Sequence, residues 1–180
     1  GVGSVVVVLG LFLAIFIAYY SQVCGEGAGG VGGAGSAGGH ALLGPLGRDC
    51  RRFTMEPLEA GVALPPGFWE LLLAEVLVVA LPEEIFFRGY VQGRLNELWH
   101  GRVRILGVEL GWAWVAQAAL FGLGHFLVDF NPLRLAVAIP ALAFGLLREI
   151  NGSIAAAVVF HAACNIFMTV VDHNFFPPLS

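Results

Sequence analysis

Apolar residues along this chain come in long blocks rather than in alternation, and several blocks have the length of a bilayer crossing. Residues 2–20 are almost unbroken in hydrophobicity, too long for a signal-peptide core and without a basic leader, and predict a first membrane helix. Residues 25–39 are nearly all glycine and alanine, a linker composition too poor in large side chains to pack. Residues 40–66 set Arg48, Arg51, Arg52, Glu56 and Glu59 among prolines, which reads as a surface loop with a short interfacial helix. Residues 67–99 exceed one crossing at about 1.5 Å of rise per residue, so this helix must tilt, protrude or bend, and Pro82 is where a bend is expected. Residues 105–127 and 132–150 predict a third and a fourth helix. Asn151-Gly152 marks a turn, residues 153–171 a fifth helix, and residues 174–180, with Pro177-Pro178, a tail without structure of its own. The expected fold is all-α, a polytopic membrane helical bundle of about five transmembrane helices with a bent motif helix. Its expected organisation is an N-terminal transmembrane helix (1–20), a glycine-rich linker and loop (21–66), a membrane core (67–173) and the tail (174–180).

Composition supports a membrane protein. Apolar residues make up 58% and charged residues 12%, with mean hydropathy +0.82, where soluble chains carry about 25% charge. The net charge of −4 implies no polyanionic partner, and no basic stripe suggests nucleic acid. Cys24, Cys50 and Cys164 form no CxxC pair, which removes zinc-knuckle and redox readings. All nine basic residues are arginine, four assigned to each side of the expected bundle and Arg88 inside it, so the positive-inside rule assigns no orientation.

Against this background the stretch Leu81-Pro82-Glu83-Glu84-Ile85-Phe86-Phe87-Arg88 stands out. A charge at the centre of a membrane helix costs roughly 2.5–3.5 kcal/mol on insertion scales, so these three must be paired or wet. Glu84 and Arg88 stand one helical turn apart and can pair, whereas Glu83 points about 100° away and has no partner in the segment. Two further blocks carry isolated polar groups: His125, one turn after Phe121, and His161 with Asn165, again one turn apart. A carboxylate, two imidazoles and an amide in one bundle supply a general base, a second group to hold water and donors for a developing oxyanion. Other intramembrane chemistries fit less well. There is no His-Glu-x-x-His, Ser153 reads as a helix cap, and Asp129 and Asp172 fall at helix ends. Two histidines and a glutamate can also hold zinc, but here they come from three separate helices.

Glu83-Glu84-x-x-x-Arg88, Phe121-x-x-x-His125 and His161-x-x-x-Asn165, in this order, resemble the three motifs of the CAAX protease and bacteriocin-processing family, which includes the type II CAAX prenyl endopeptidases. The resemblance covers about residues 68–171 and makes residues 67–173 the catalytic core. It implies an intramembrane glutamic endopeptidase in which Glu83 activates water with His125, Arg88 orients Glu84, and His161 and Asn165 steady the oxyanion. It implies no cofactor and no metal, a membrane-anchored or lipidated protein or peptide as substrate, the lipid bilayer as surroundings, and no nucleic-acid partner. The short, lysine-free chain suits a multi-pass protein of a bacterial inner membrane. The competing reading is a non-catalytic immunity or peptide-binding membrane protein, with a proton-coupled carrier more distant.

Overall fold

The computed structural model describes residues 53–105 and 107–176, together with Gly10, Leu13, Ala14, Phe16, Ile17, Ala18 and Ser21 of the first apolar run. Those seven positions are helical; the rest of the expected first helix, the glycine-rich linker and the arginines of the adjoining loop lie outside the described residues. From Phe53 onward the chain is mostly helix. A single turn, α1 (Pro57–Ala60), precedes a helical run over residues 68–98. That run is α2 (Phe68–Ala74), a π-type turn (Glu75–Ala80), α3 (Leu81–Glu84), a second π-type turn (Ile85–Val91) and α4 (Gln92–Leu98). Strands β1 (Arg102–Ile105) and β2 (Val108–Gly111) lead into α5 (Trp112–Asp129). A 3₁₀ helix (Pro132–Val137), α6 (Ala138–Asn151) and α7 (Ala155–Phe175) complete the chain.

At Pro82, where a bend was expected, the run stays helical: Ala80, Leu81 and Ile85 all keep right-handed helical dihedrals. Proline removes one N–H and its ring crowds the carbonyl four residues back, and the chain relieves both by winding more loosely ahead of it, with the Leu81 N–H reaching the Val76 carbonyl. The third helix starts later than its hydrophobicity suggested, because residues 102–111 form an antiparallel hairpin. Its register pairs Ile105 with Val108 and sets Arg104 opposite Glu109, and Gly107 supplies the positive φ of the turn. The last helix runs on to Phe175, so residues 174–176 are structured where a free tail was expected. The expected turn does fall at Asn151-Gly152, where Gly152 is left-handed and its N–H caps α6 at the Arg148 carbonyl.

The chain divides into two compact units. In the unit Trp69–Asn165, small residues let helices approach closely. A Cβ at Gly122 of α5 would lie 3.0 Å from both the Ala138 Cβ and the Leu135 carbonyl oxygen. Ala118, Phe121 and Ala141 form one buried cluster, with Phe87, Val137 and Leu142 against it; Ala80, Val158 and Ala162 form another. In the unit comprising Gly1–Phe68 and Ile166–Ser180, Phe16, Val171, Phe175 and Phe176 make the core. There Asn174 holds Ala63 at both its N–H and its carbonyl, each at 2.8 Å.

One described helix, Ala155–Phe175, is by itself long and apolar enough to cross a membrane, with mean hydropathy 1.6; Trp112–Val128 is a shorter apolar helix. The motif run does not qualify as one apolar span because it carries Glu75, Glu83, Glu84 and Arg88.

Candidate active site

All six residues singled out in the sequence lie in the unit Trp69–Asn165. The motif run presents Glu84 and Arg88 to the interior, where both side chains are completely buried and the Arg88 Nη1 donates to Glu84 Oε1 at 2.8 Å. Nη2 of Arg88 donates to the Ala141 carbonyl at 3.2 Å. Its guanidinium also lies over the rings of Phe121 and Phe144, 4.5 and 5.0 Å from their centroids. A guanidinium is weakly hydrated and planar, so aromatic faces and a carboxylate together offset much of its desolvation.

His161 enters from α7. Its Nδ1 lies 2.8 Å from Glu84 Oε1, so one carboxylate oxygen accepts from both Arg88 and His161. The Phe144 ring is stacked on the imidazole at 4.8 Å and fixes its plane. With Nδ1 donating to a carboxylate, the proton of a neutral His161 is on Nδ1 and Nε2 is left as an acceptor; Nε2 becomes a donor only in the imidazolium form. That Nε2 faces Glu83, 3.8 Å from its Oε2. Glu83 is otherwise unspent: it is about one-third exposed, and Oε2 has no hydrogen-bond partner.

His125 stands on α5, with Nδ1 3.0 Å from the Phe121 carbonyl. A carbonyl only accepts, so Nδ1 carries the proton and Nε2 of the neutral ring is again an acceptor. Phe121 links the two imidazoles, with its ring centroid 4.4 Å from that of His125 and 5.8 Å from that of His161. No direct hydrogen bond joins His125 to either glutamate.

Asn165 lies on α7, one turn beyond His161. Its Nδ2 donates to Glu75 Oε2 at 2.9 Å, while His161, one turn away, is engaged with Glu84. Glu75 is the residue that sequence reading missed. It lies eight positions before Glu83, at the start of the loosened π-type turn. A second polar group also went unread. Gln92 donates to the Gly145 carbonyl at 3.1 Å and to Glu149 Oε1 at 2.7 Å, and Asn96 and Arg148 donate to that same oxygen. Gln117, fully buried, donates to the carbonyls of Trp114 and Ala141. Among the described residues no three His, Cys, Asp or Glu side chains converge as a metal-ligand set.

The motif run and α7 bring a carboxylate, a guanidinium and an imidazole together among the rings of Phe121 and Phe144. The particular family follows from comparison: residues 65–167 match the Rce1-like family of type II CAAX prenyl endopeptidases, and the chain belongs to that family. The matched range takes in every motif residue named above. Members are integral membrane proteases acting on CAAX-type, membrane-anchored proteins, and membership supports peptidase activity at that level. No curated protein and no solved structure gives a significant match.

Proposed function

We propose that this chain is an intramembrane endopeptidase that uses a glutamate-activated water to cleave near the C-terminus of a membrane-anchored or lipidated protein or peptide. The observation that carries this reading is the division of labour between adjacent glutamates. Glu84 is spent on Arg88 and His161, whereas Glu83 keeps an unpaired oxygen beside an imidazole. A water between Glu83 and His125 would meet two acceptors, the carboxylate and Nε2, and can donate one hydrogen to each. Its oxygen then adds to the scissile carbonyl carbon while Glu83 takes its proton. That proton passes to the leaving amide nitrogen as the C–N bond breaks. Asn165 and, as an imidazolium held by Glu84, His161 would donate to the oxyanion.

Residues 67–173 form the catalytic core in this reading, inside a bundle of about five spans in a bacterial inner membrane. The outward face of the motif run supports the embedding: Leu73, Leu77, Val78, Ile85, Phe86 and Tyr90 are each more than half exposed. An apolar stripe of that length on a soluble surface would be an aggregation hazard. Lipid removes that cost.

The test is to incubate the purified chain with lipidated C-terminal peptides and identify products by mass spectrometry. Wild type should cleave, and Glu83→Gln should lose roughly 10²–10⁴ in kcat while remaining folded. EDTA should leave cleavage unchanged. A Glu83→Gln variant that cleaves at the wild-type rate sinks the assignment, and zinc-dependent loss and return of activity replaces it with metal chemistry.

A further inference from the structure

Behind the glutamates, residues with unspent polar atoms form a connected series. Glu84 bonds Arg88, and Arg88 shares the Ala141 carbonyl with Gln117. Gln117 Nε2 and Gln92 Oε1 converge on the space above Gly145, where a Cβ would crowd both. Gln92 in turn bonds Glu149, beside Asn96 and Arg148 at the end of α4 and α6. Each member from Glu83 to Gln92 holds one polar atom without a protein partner: Glu83 Oε2, Glu84 Oε2, Arg88 Nε, Gln117 Oε1 and Gln92 Oε1. Glu84, Arg88, Gln92 and Gln117 are wholly buried. Buried polar atoms are almost always satisfied, by ordered water where protein does not reach them. Four orphaned acceptors and one orphaned donor on connected residues match the bonding capacity of a water file, since each water offers two hydrogens and two lone pairs. Glu149 and Arg148 are partly exposed, so the series has an open end.

We infer that this column, from Glu149 through Gln92, Gln117 and Arg88 to Glu84 and Glu83, is a hydration path that supplies water to the active site from the end of the bundle. The inference rests on the hydrolytic reading above, since each peptide bond cleaved consumes one water and lipid delivers none. The missing side chain of Gly145 is what keeps the two amides and their waters in register.

The test uses the full chain in nanodiscs, with Gln92→Leu, Gln117→Leu, the double variant and Gly145→Ala. Radiolytic hydroxyl labelling, which marks side chains next to bound water, is read at Phe144. That ring is 2% exposed and stands over Arg88, beyond the reach of bulk solvent. Wild type should label at Phe144. The leucine variants should lose most of that label and lose about tenfold or more in kcat at unchanged KM, with an unchanged or raised thermal midpoint. A purely structural network predicts the reverse, a lowered midpoint with kcat retained, and that result overturns the path. Where the double variant fails to fold, the single variants and the wild-type label decide. An active chain whose Phe144 stays unlabelled overturns the path and leaves the protease reading standing; a labelled Phe144 in a chain that cleaves no peptide supports the path and removes the protease reading.

Discussion

At the scale of the residue, the arrangement around Glu84 makes strong demands. A carboxylate and a guanidinium, both completely buried, share one hydrogen bond; His161 also donates to the carboxylate, and rings and a backbone carbonyl surround the guanidinium. Removing one partner of such a pair leaves an uncompensated charge and costs about 3–5 kcal/mol. Arg88→Ala should therefore lower the thermal midpoint in detergent along with activity; a fully stable, inactive variant would move Arg88 into substrate binding. Asn165 depends on Glu75 in a second way. The carboxylate accepts from Nδ2 and so fixes which end of the amide faces the site. Asn165→Ala should reduce kcat by about 10²–10³ with little change in KM, as loss of an oxyanion donor does. Glu75→Ala should reproduce much of that loss, Glu75→Gln should restore it, and the double variant should be no worse than Asn165→Ala alone. Additive losses would show that Glu75 acts independently of the amide.

At the scale of the element, the site is aimed by departures from ideal helix geometry. Two π-type turns flank Leu81–Glu84, so the run winds more loosely than an ideal helix on either side of the glutamates, while Glu84, Arg88 and Gln92, each four apart, all stay buried. The helix spacing matters equally. Gly122 lets α5 meet the 3₁₀ helix and the start of α6 at van der Waals distance, and Phe121, its neighbour, ties His125 to Arg88 and His161. Gly122→Val would insert methyl groups where even a Cβ is already tight. The expected cost is about 1–3 kcal/mol in stability, read by thermal unfolding, with a fall in kcat as His125 moves off its position. An unchanged midpoint would show that the contact gives way freely.

At the scale of the whole molecule, tryptophans stand near the ends of the motif run. Trp69 lies at its start, and Trp99 and Trp112 lie about the hairpin at the other end, all three exposed. Indole rings collect at membrane–water interfaces, where an apolar body and one N–H are both accommodated. In liposomes, lipids brominated near the glycerol should quench tryptophan fluorescence more than lipids brominated at the chain ends. Equal quenching from both, or none, would remove these residues from the interface and with them the transbilayer placement of the run.

Much of the site was legible because helical spacing is a local property. Glu84 and Arg88, or His161 and Asn165, share a face by virtue of being four apart, and Asn151-Gly152 favours a turn through its own backbone preference. The resemblance of the three motifs to a known family was legible there too, and the family match over residues 65–167 agrees with it. Local hydrophobicity misled at residues 105–111, where Ile105, Val108 and Leu110 read as helix but belong to a hairpin that turns at Gly107. What no spacing discloses is which side chain of one helix meets which of another. His161 engages Glu84 from 77 residues away, Asn165 engages Glu75 from 90, and Gln92 engages Glu149 from 57. Those pairings decide which glutamate is spent, which imidazole nitrogen carries the proton and where unspent polar atoms line up. The local sequence determines each helix's faces; packing at small residues such as Gly122 and Gly145, together with the loosened winding of the motif run, determines which faces meet.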